Sequence, residues 1–395
     1  MLHFELEFGA NALAPLRVIE FRVRQILSRK TVMLSPLRLS AASILLSALT
    51  LAGCAGEPLT AQPDELLEVV EEVAADVPRH PLTGVELGSA VVSGPSIAVK
   101  IDNTSSGRPQ VGIASADIVY EELVEGGVTR YLAVFHTTVP DEVGPVRSGR
   151  PQDAGIVPPF GGVFVFSGVG NSNVREIIRG SGLQLVEHDT SGGTDDAPLF
   201  FRSDRKRAPM NLHIKAADLF ASYSTLAPPA QQFDFVSDSS ESTAAASGES
   251  AESVRVVFSK GVESIWQWDS ATGTYLKFLS NGNPDVDADG TQISAANVII
   301  FTPNYFDVEG LPSAKIAGVT ETALVATGGK VVHGLFDATV LGGPIKLTHN
   351  EGQPIFLGTG KTFVLLPPGA GSVAGGVTPG SVSYGPLGAE VLRAI

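Results

Sequence analysis

Between residues 100 and 150 lies the densest run of side chains able to handle charge: Asn103, Arg108, Gln110, Asp117, Glu121, Glu125, Arg130, Arg147, Ser148 and Arg150. A guanidinium is planar, permanently charged and carries a fork of donors that can grip a carboxylate or phosphate in two places. With Arg202 these segments hold five arginines in a chain of formal net charge −15. Concentrated positive charge in an acidic protein describes an anion site. Its contacts would be Arg108, Arg130, Arg147, Ser148, Arg150 and Arg202, supported by Asn103, Gln110, Asp117, Glu121, Glu125 and Asn211. A second arrangement fits the same residues: the arginines pair with Asp117, Glu121 and Glu125 across strands, and no ligand is needed. Strand alternation places Val119, Glu121, Leu123 and Glu125 on one face and Ile118, Tyr120, Glu122 and Val124 on the other. One face thus presents two carboxylates, which can anchor arginines or hold a cation.

Other chemistries find less support. Ser148 lies between arginines and His136 ends a strand pattern, but no motif fixes a Ser-His-Asp arrangement, and His136 reads as a surface histidine. Residues 285–290 match the first half of a calcium loop, yet Ala296 occupies the twelfth position, where a bidentate Glu is required, so an acidic hairpin is expected. His188, Asp189, Asp195 and Asp196 share a Gly-rich stretch without metal-ligand spacing and read as a solvated loop. No metal or cofactor is expected. Residues 167–173 form a Gly-rich turn opening a helix, a place where backbone N–H groups accept phosphate. Without a full dinucleotide or P-loop pattern, a capped turn is the expectation. Trp266 and Trp268 alternate onto one face of a strand and read as core rather than as a sugar-stacking platform.

The single cysteine, Cys54, closes Leu51-Ala52-Gly53-Cys54 at the end of an apolar run from residue 39 to 52. That run is short of the roughly 20 apolar residues a spanning helix needs, and it fits the h-region and small-residue cleavage site of a signal peptide. Its likeness to a lipobox implies cleavage before Cys54 and lipidation (diacylglyceryl and palmitoyl-type acyl chains) of that thiol, with two or three chains giving stable anchoring. Met33 would open a shorter signal with Arg38 as its charge, so the first 32 residues read as an over-extended start. The leader holds six basic and three acidic residues, a net +3, which leaves the rest of the chain at −18. Such a field argues against nucleic acid as a partner. A lipidated Cys54 leaves no thiol for disulfides or zinc, so the fold must rest on packing.

The elements that must position these residues are short apolar runs between Gly, Pro and Asn. Strands are predicted over 97–101, 118–124, 130–137 and 163–166, and helices over 173–178 and 214–223. Further strands are predicted over 254–258, 265–269, 275–279, 298–301, 323–325 and 362–366. The expected class is α+β (mixed α/β), an N-terminal mixed sheet with helices followed by a β-rich C-terminal half. The expected division is a signal peptide at 1–53, a flexible tether at 54–80, an α/β domain at 81–230, a low-complexity linker at 231–253 and a β-rich domain at 254–395. Residues 237–252 hold almost no bulky apolar side chain and are expected to be disordered.

Several segments in one order resemble the YerB-like bacterial lipoproteins, a domain of unknown function with its own C-terminal subdomain. They are Ile101-Asp102-Asn103, Arg108-Pro109-Gln110-Val111-Gly112, Ala116-Asp117-Ile118-Val119-Tyr120-Glu121, Glu125-Gly126-Gly127-Val128-Thr129-Arg130 and Gly144-Pro145-Val146-Arg147-Ser148-Gly149-Arg150-Pro151. The likeness continues through Phe201-Arg202, Ala208-Pro209-Met210-Asn211-Leu212 and Asn297-Val298-Ile299, and spans about residues 81–366. Met210 stands where the family usually has His, and Leu335 where it usually has Trp, so a role resting on that histidine does not carry over. The resemblance implies a fold and a place in the cell envelope, lipid-anchored on the extracytoplasmic face of the cell membrane, and no established activity. The expected function is a non-catalytic lipoprotein that binds an anionic cell-wall ligand or an envelope protein. The alternative is a phosphotransferase or hydrolase acting on a phosphorylated wall precursor, since the order of strand, Gly-Pro-x-Arg and Gly-rich loop is similar to that of LytR-CpsA-Psr phosphotransferases. A scaffold for an envelope machine is a third reading.

Overall fold

The computed structural model describes residues 78–88, 92–188, 198–388 and 391–393. The expected lipobox with Cys54, nearly all of the expected tether, and Asp189, Asp195 and Asp196 lie outside the described residues. Strands β1 (Ile97–Asp102), β2 (Ile118–Leu123), β3 (Thr129–Phe135) and β4 (Glu142–Val143) come first, then helix α1 (Asp153–Ile156). They are followed by β5 (Val163–Phe166), α2 (Ser172–Arg179), β6 (Gln184–Glu187), β7 (Phe200–Arg202), β8 (Leu212–Lys215) and α3 (Ala216–Ser222). Helix α4 (Thr243–Ser247) and strands β9 (Glu249–Ser250), β10 (Ser253–Ser259), β11 (Val262–Asp269), β12 (Thr274–Phe278), β13 (Ser294–Ala295) and β14 (Asn297–Phe301) open the second half. It closes with β15 (Tyr305–Val308), β16 (Leu311–Ala314), β17 (Thr320–Thr327), β18 (Lys330–Asp337), β19 (Lys346–Thr348), β20 (Thr362–Leu366), β21 (Ser381–Gly385) and β22 (Val391–Arg393). The class is α+β with a strand-rich second half, as the pattern predicts.

One large sheet runs in the order β19-β18-β17-β14-β20-β2-β3-β1-β5-β6, with β9 pairing β18. Its centre explains its composition. Strands β1, β2 and β3 are buried on both faces, so they read as near-continuous apolar runs rather than as alternation. The late strand β20 lies parallel to both β14 and β2 and joins the two halves of the sequence in one sheet. Both ends of that junction are pinned: the Thr362 amide donates to Asp117 O at 3.0 Å. At the other end the Tyr305 hydroxyl donates to Leu366 O at 2.7 Å and accepts from the Leu123 amide at 3.1 Å.

A second sheet, β13-β12-β11-β10-β21-β22, packs against one face of this centre. Trp266 is fully buried against Phe363 at 4.7 Å between ring centroids, and Tyr131 meets the same Phe363 edge-on. Trp268 stacks edge-on to Tyr275, so both tryptophans are core-facing. The opposite face is covered by α1 and the turn after it, where Phe160 meets Tyr120.

Residues 237–252, expected to be disordered, are ordered. Ser242 caps α4 by accepting from the Ala245 amide, Ala244 and Ala251 are buried, and β9 adds to β18. Small side chains are what this course requires, because a Cβ on Gly248 would sit 2.6 Å from Val331 O. At the other boundary the fold begins before residue 81. Arg79 bridges Glu86, and His80 is buried.

Candidate functional site

The polar residues of the 100–150 region gather at one end of β1, β2 and β3, but on two opposite faces. Register decides the split: Asp102 pairs with Arg130 and Glu122 pairs with Arg130, so these three share a face. On it, fully buried Lys100 binds Glu122 and, at 2.8 Å, Asp153 of α1. Burial pulls the Lys100 ammonium down to about 8, with Arg130 and Arg150 adding to the shift and Asp153 opposing it. Arg150 grips Glu125 with both Nη2 and, at 2.7 Å, Nε. Arg130 donates to Ser148 O at 2.8 Å and to Glu125 at 3.3 Å. Burial, then the neighbouring Arg150, lowers Arg130 to about 10. Burial alone would raise Glu125, but the hydrogen bond and charge of Arg150, with the charge of Arg130, hold it down at about 2.

Glu125 therefore does not share a face with Glu121, as plain alternation predicts. The strand stops at Leu123 and Glu125 opens the turn that follows, so strand alternation no longer sets its side; left-handed Gly126 and Gly127 then return the chain into β3.

The other face carries Glu121, Asn103, Gln110 and Arg108. Asn103 Nδ2 donates to Glu121 at 2.9 Å and Thr129 at 2.8 Å, while its Oδ1 accepts from Arg108 Nη2 at 2.8 Å. Gln110 Nε2 donates to Asp102 O at 3.0 Å. From the second sheet come Lys277 and Asp285, paired at 2.9 Å, with the Lys277 ammonium 5.8 Å from the Tyr131 ring centre. Burial alone would lower Lys277, but Tyr131, Asp285 and Glu121 keep it above its ordinary value. Asp285 belongs to the segment with a half calcium-loop pattern. It is engaged by Lys277, and Asp287 accepts from the Gly112 and Ala114 amides.

The remaining expected residues fall elsewhere. Asp117 immediately precedes β2 and accepts from the His136 and Thr137 amides at 2.7 and 2.8 Å. His136 is buried rather than on the surface, its Nδ1 lying 2.8 Å from His80 Nε2. Arg202 is exposed and donates to Asn211 Oδ1 at 2.9 Å. In the Gly-rich turn, Asn171 caps α2 by accepting from the Val174 amide, so that turn is a capped one.

Arg147 stands apart from the closed pairs. Its Nε lies 3.1 Å from Asp102 Oδ2, and its side chain is 23% exposed. Asp102 Oδ1 is already held by the amide and hydroxyl of Thr104. A basic turn between β7 and β8, Arg205-Lys206-Arg207, closes on the same place. The Lys206 ammonium donates to Gly107 O and, at 2.8 Å, to Pro109 O, and it feels the charge of Asp102. Sequence reasoning passed over this turn, because about a hundred residues separate Lys206 from the loop it covers. The clue available was its run of three basic residues in an acidic chain.

An α+β fold of two main sheets and two small ones, with a polar core beneath a basic rim, defines the class, and comparison with known proteins defines the family. The N-terminal domain described as "Protein of unknown function (DUF3048)" matches residues 82–228, and the DUF3048 C-terminal domain matches 254–364. Together they cover more than half of the chain, which belongs to that family. The curated protein "Putative lipoprotein YerB" of Bacillus subtilis (strain 168) is 36% identical over 134 residues, 34% of this chain and 39% of the relative. The chain thus matches about two fifths of that protein's length. The crystal structure of YerB from Bacillus subtilis has a TM-score of 0.63 at 23% identity, covering 78% of this chain and 100% of that one. At that identity the likeness is one of fold.

Proposed function

We propose that this chain is a lipid-anchored protein of the cell envelope, held through Cys54 on the extracytoplasmic face, whose folded part binds an anionic envelope ligand at the rim formed by Arg147 and Lys206. One observation supports the ligand reading: Arg147 lies 3.1 Å from Asp102, and Lys206, bound to the Gly107 and Pro109 carbonyls, feels the charge of the same carboxylate, so a single carboxylate answers two cations. Exposed Arg205 adds to the positive field, although Glu142 answers it at 2.6 Å. The buried arginines Arg130 and Arg150 support the rim from below but are committed to Glu125 and to carbonyls. The carboxylates nearest them, Glu122, Glu125 and Asp153, are all ion-paired, which favours binding over turnover. The lipid anchor rests on the Leu51-Ala52-Gly53-Cys54 pattern and on the description of the Bacillus relative.

The test is thermal stability of the full chain against inorganic pyrophosphate and wall phosphopolymer, with Arg147→Ala and Lys206→Ala as comparisons. A ligand at 100 times its Kd adds about 2.7 kcal/mol. Stabilisation that disappears in both variants and weakens with salt is the expected result. No stabilisation by any anion would sink the reading. For the anchor, Cys54→Ser should abolish incorporation of labelled palmitate and release the protein from membranes. Unchanged membrane retention would remove the lipid from the account.

A further inference from the structure

We propose that Lys100 and Asp153 join covalently: the Lys100 side-chain nitrogen forms an amide with the Asp153 carboxyl group, and one water leaves. The bond forms inside the folded chain, needs no ligand, and is independent of the basic rim and of the anchor. Lys100, Glu122 and Asp153 are each fully buried, and one nitrogen contacts both carboxylates, Nζ binding Glu122 Oε1 and, at 2.8 Å, Asp153 Oδ1. A buried ion pair has given up its hydration, and mutual attraction restores only part of that loss. An amide and a water carry no charge, so the reaction removes the cost.

The surroundings divide the roles. Asp153 Oδ2 accepts from the Arg150 amide at 2.6 Å. A backbone N–H aimed at that oxygen steadies the negative charge that builds on it when a nucleophile adds to Cγ. Glu122 Oε2, by contrast, is closed to solvent and has no hydrogen-bond partner in the protein. An oxygen with free lone pairs and no competing donor can hold a proton, so Glu122 is the proton carrier and Asp153 the electrophile. Burial, with the charges of Arg130 and Arg150, pulls Lys100 down to about 8 against the opposing charge of Asp153. A usable fraction of the amine is therefore uncharged and nucleophilic at neutral pH.

Every atom is accounted for. Glu122 carries one ammonium proton to Asp153 Oδ1, and the lone pair this frees attacks Cγ to form the N–C bond. A second proton follows the same route. The Cγ–Oδ1 bond then breaks, Oδ1 leaves as water with both protons, and the C=O bond to Oδ2 re-forms while the nitrogen keeps its third proton. Glu122 ends as the carboxylate it was, and no oxidant or co-reactant is needed. Groups held in contact like this react as if at an effective concentration of about 10⁵ M or more. The product clasps β1 to α1 across a sequence separation of 53 residues. In a chain whose only cysteine is Cys54, it does what a disulfide does and restricts the unfolded chain.

Trypsin cuts between the two partners, at Arg130 and Arg147, so tandem mass spectrometry of the digested full chain tests this. After the folded chain has stood at about pH 8, where Lys100 is half deprotonated, the peptide holding Lys100 should be joined to the one holding Asp153. The joined pair should be one water lighter than the sum of its parts. Glu122→Gln keeps both ends of the bond and should slow the joining at least about a hundredfold. Lys100→Arg should abolish it. Folded wild-type chain without joined peptides overturns the proposal, and that result needs no variant to fold. A bond from Lys100 to Glu122 overturns it too, as does joining at the wild-type rate in Glu122→Gln.

Discussion

Lys100 occupies a fully buried position between two carboxylates, and removing it reads out what that arrangement is worth. Lys100→Met leaves Glu122 and Asp153 facing each other without a cation, and breaking a buried ion pair from one side costs roughly 3–5 kcal/mol. Urea unfolding should show that loss, and Lys100→Met/Glu122→Leu should recover part of it. An equal cost in both would mean that the lysine acts through packing alone. The His80–His136 contact sets an acid limit. Burial and then the charge of His136 lower His80 to about 4 from 6.5. Burial also lowers His136, against the Gly94 carbonyl and the charge of Asp117. Thr137 Oγ1, 3.0 Å from either His80 ring nitrogen, completes the surroundings. As pH falls, the unfolded chain takes up the His80 proton first. Stability from this group is therefore complete above pH 6.5 and lost on the way down to about 4, by on the order of 3 kcal/mol. A thermal-melting profile should show that slope, and His80→Asn should flatten it. An unaltered slope in the variant would assign the acid limit to other groups.

At the scale of elements, local pattern and local chemistry were enough where an element is set by its own residues. The expected 163–166 strand matches β5 (Val163–Phe166), and the expected 173–178 helix lies inside α2 (Ser172–Arg179), because a short run of β-branched and aromatic residues and an Asn cap are short-range signals. The 214–223 helix was half right: Leu212–Lys215 is a strand, since it fills the place between β4 and β7. Glycine at Gly162 shows how tightly elements meet. Its φ is +68°, and a Cβ would lie 2.2 Å from Ser96 O, beside the start of the β1–β5 pairing. Gly162→Ala should cost roughly 1–3 kcal/mol. A denaturation midpoint equal to that of the wild type would show that the backbone approach has room to relax.

For the whole molecule, the shared sheet is the feature with consequences. Strand β20 contributes Phe363, Val364, Leu365 and Leu366, all nearly or fully buried, between a strand of each sequence half. Each such side chain is worth about 1.5–3 kcal/mol on burial. Residues 78–230 expressed alone lose that partner and expose the β2 edge, so they should aggregate or stay unfolded. Residues 231–395 should do the same. Co-expression should restore one soluble complex. Cooperative unfolding of either half alone would show that each is a domain in its own right, as the division read from composition expects.

The sequence by itself determined the longer strands of both halves, helix α2, the family motifs and the polar residue types, because side-chain patterning and turn chemistry act over a few residues. It also carried the contiguous Leu51-Ala52-Gly53-Cys54 pattern on which the proposed anchor rests. Which charge meets which was decided only by tertiary structure. Arg108 and Arg130 lie in neighbouring motifs, yet strand register puts Arg130 on one face with Glu125, while the loop after β1 carries Arg108 to the other face beside Asp285. Lys277 reaches Tyr131, and Lys206 reaches Gly107, across loops whose closure no local signal encodes.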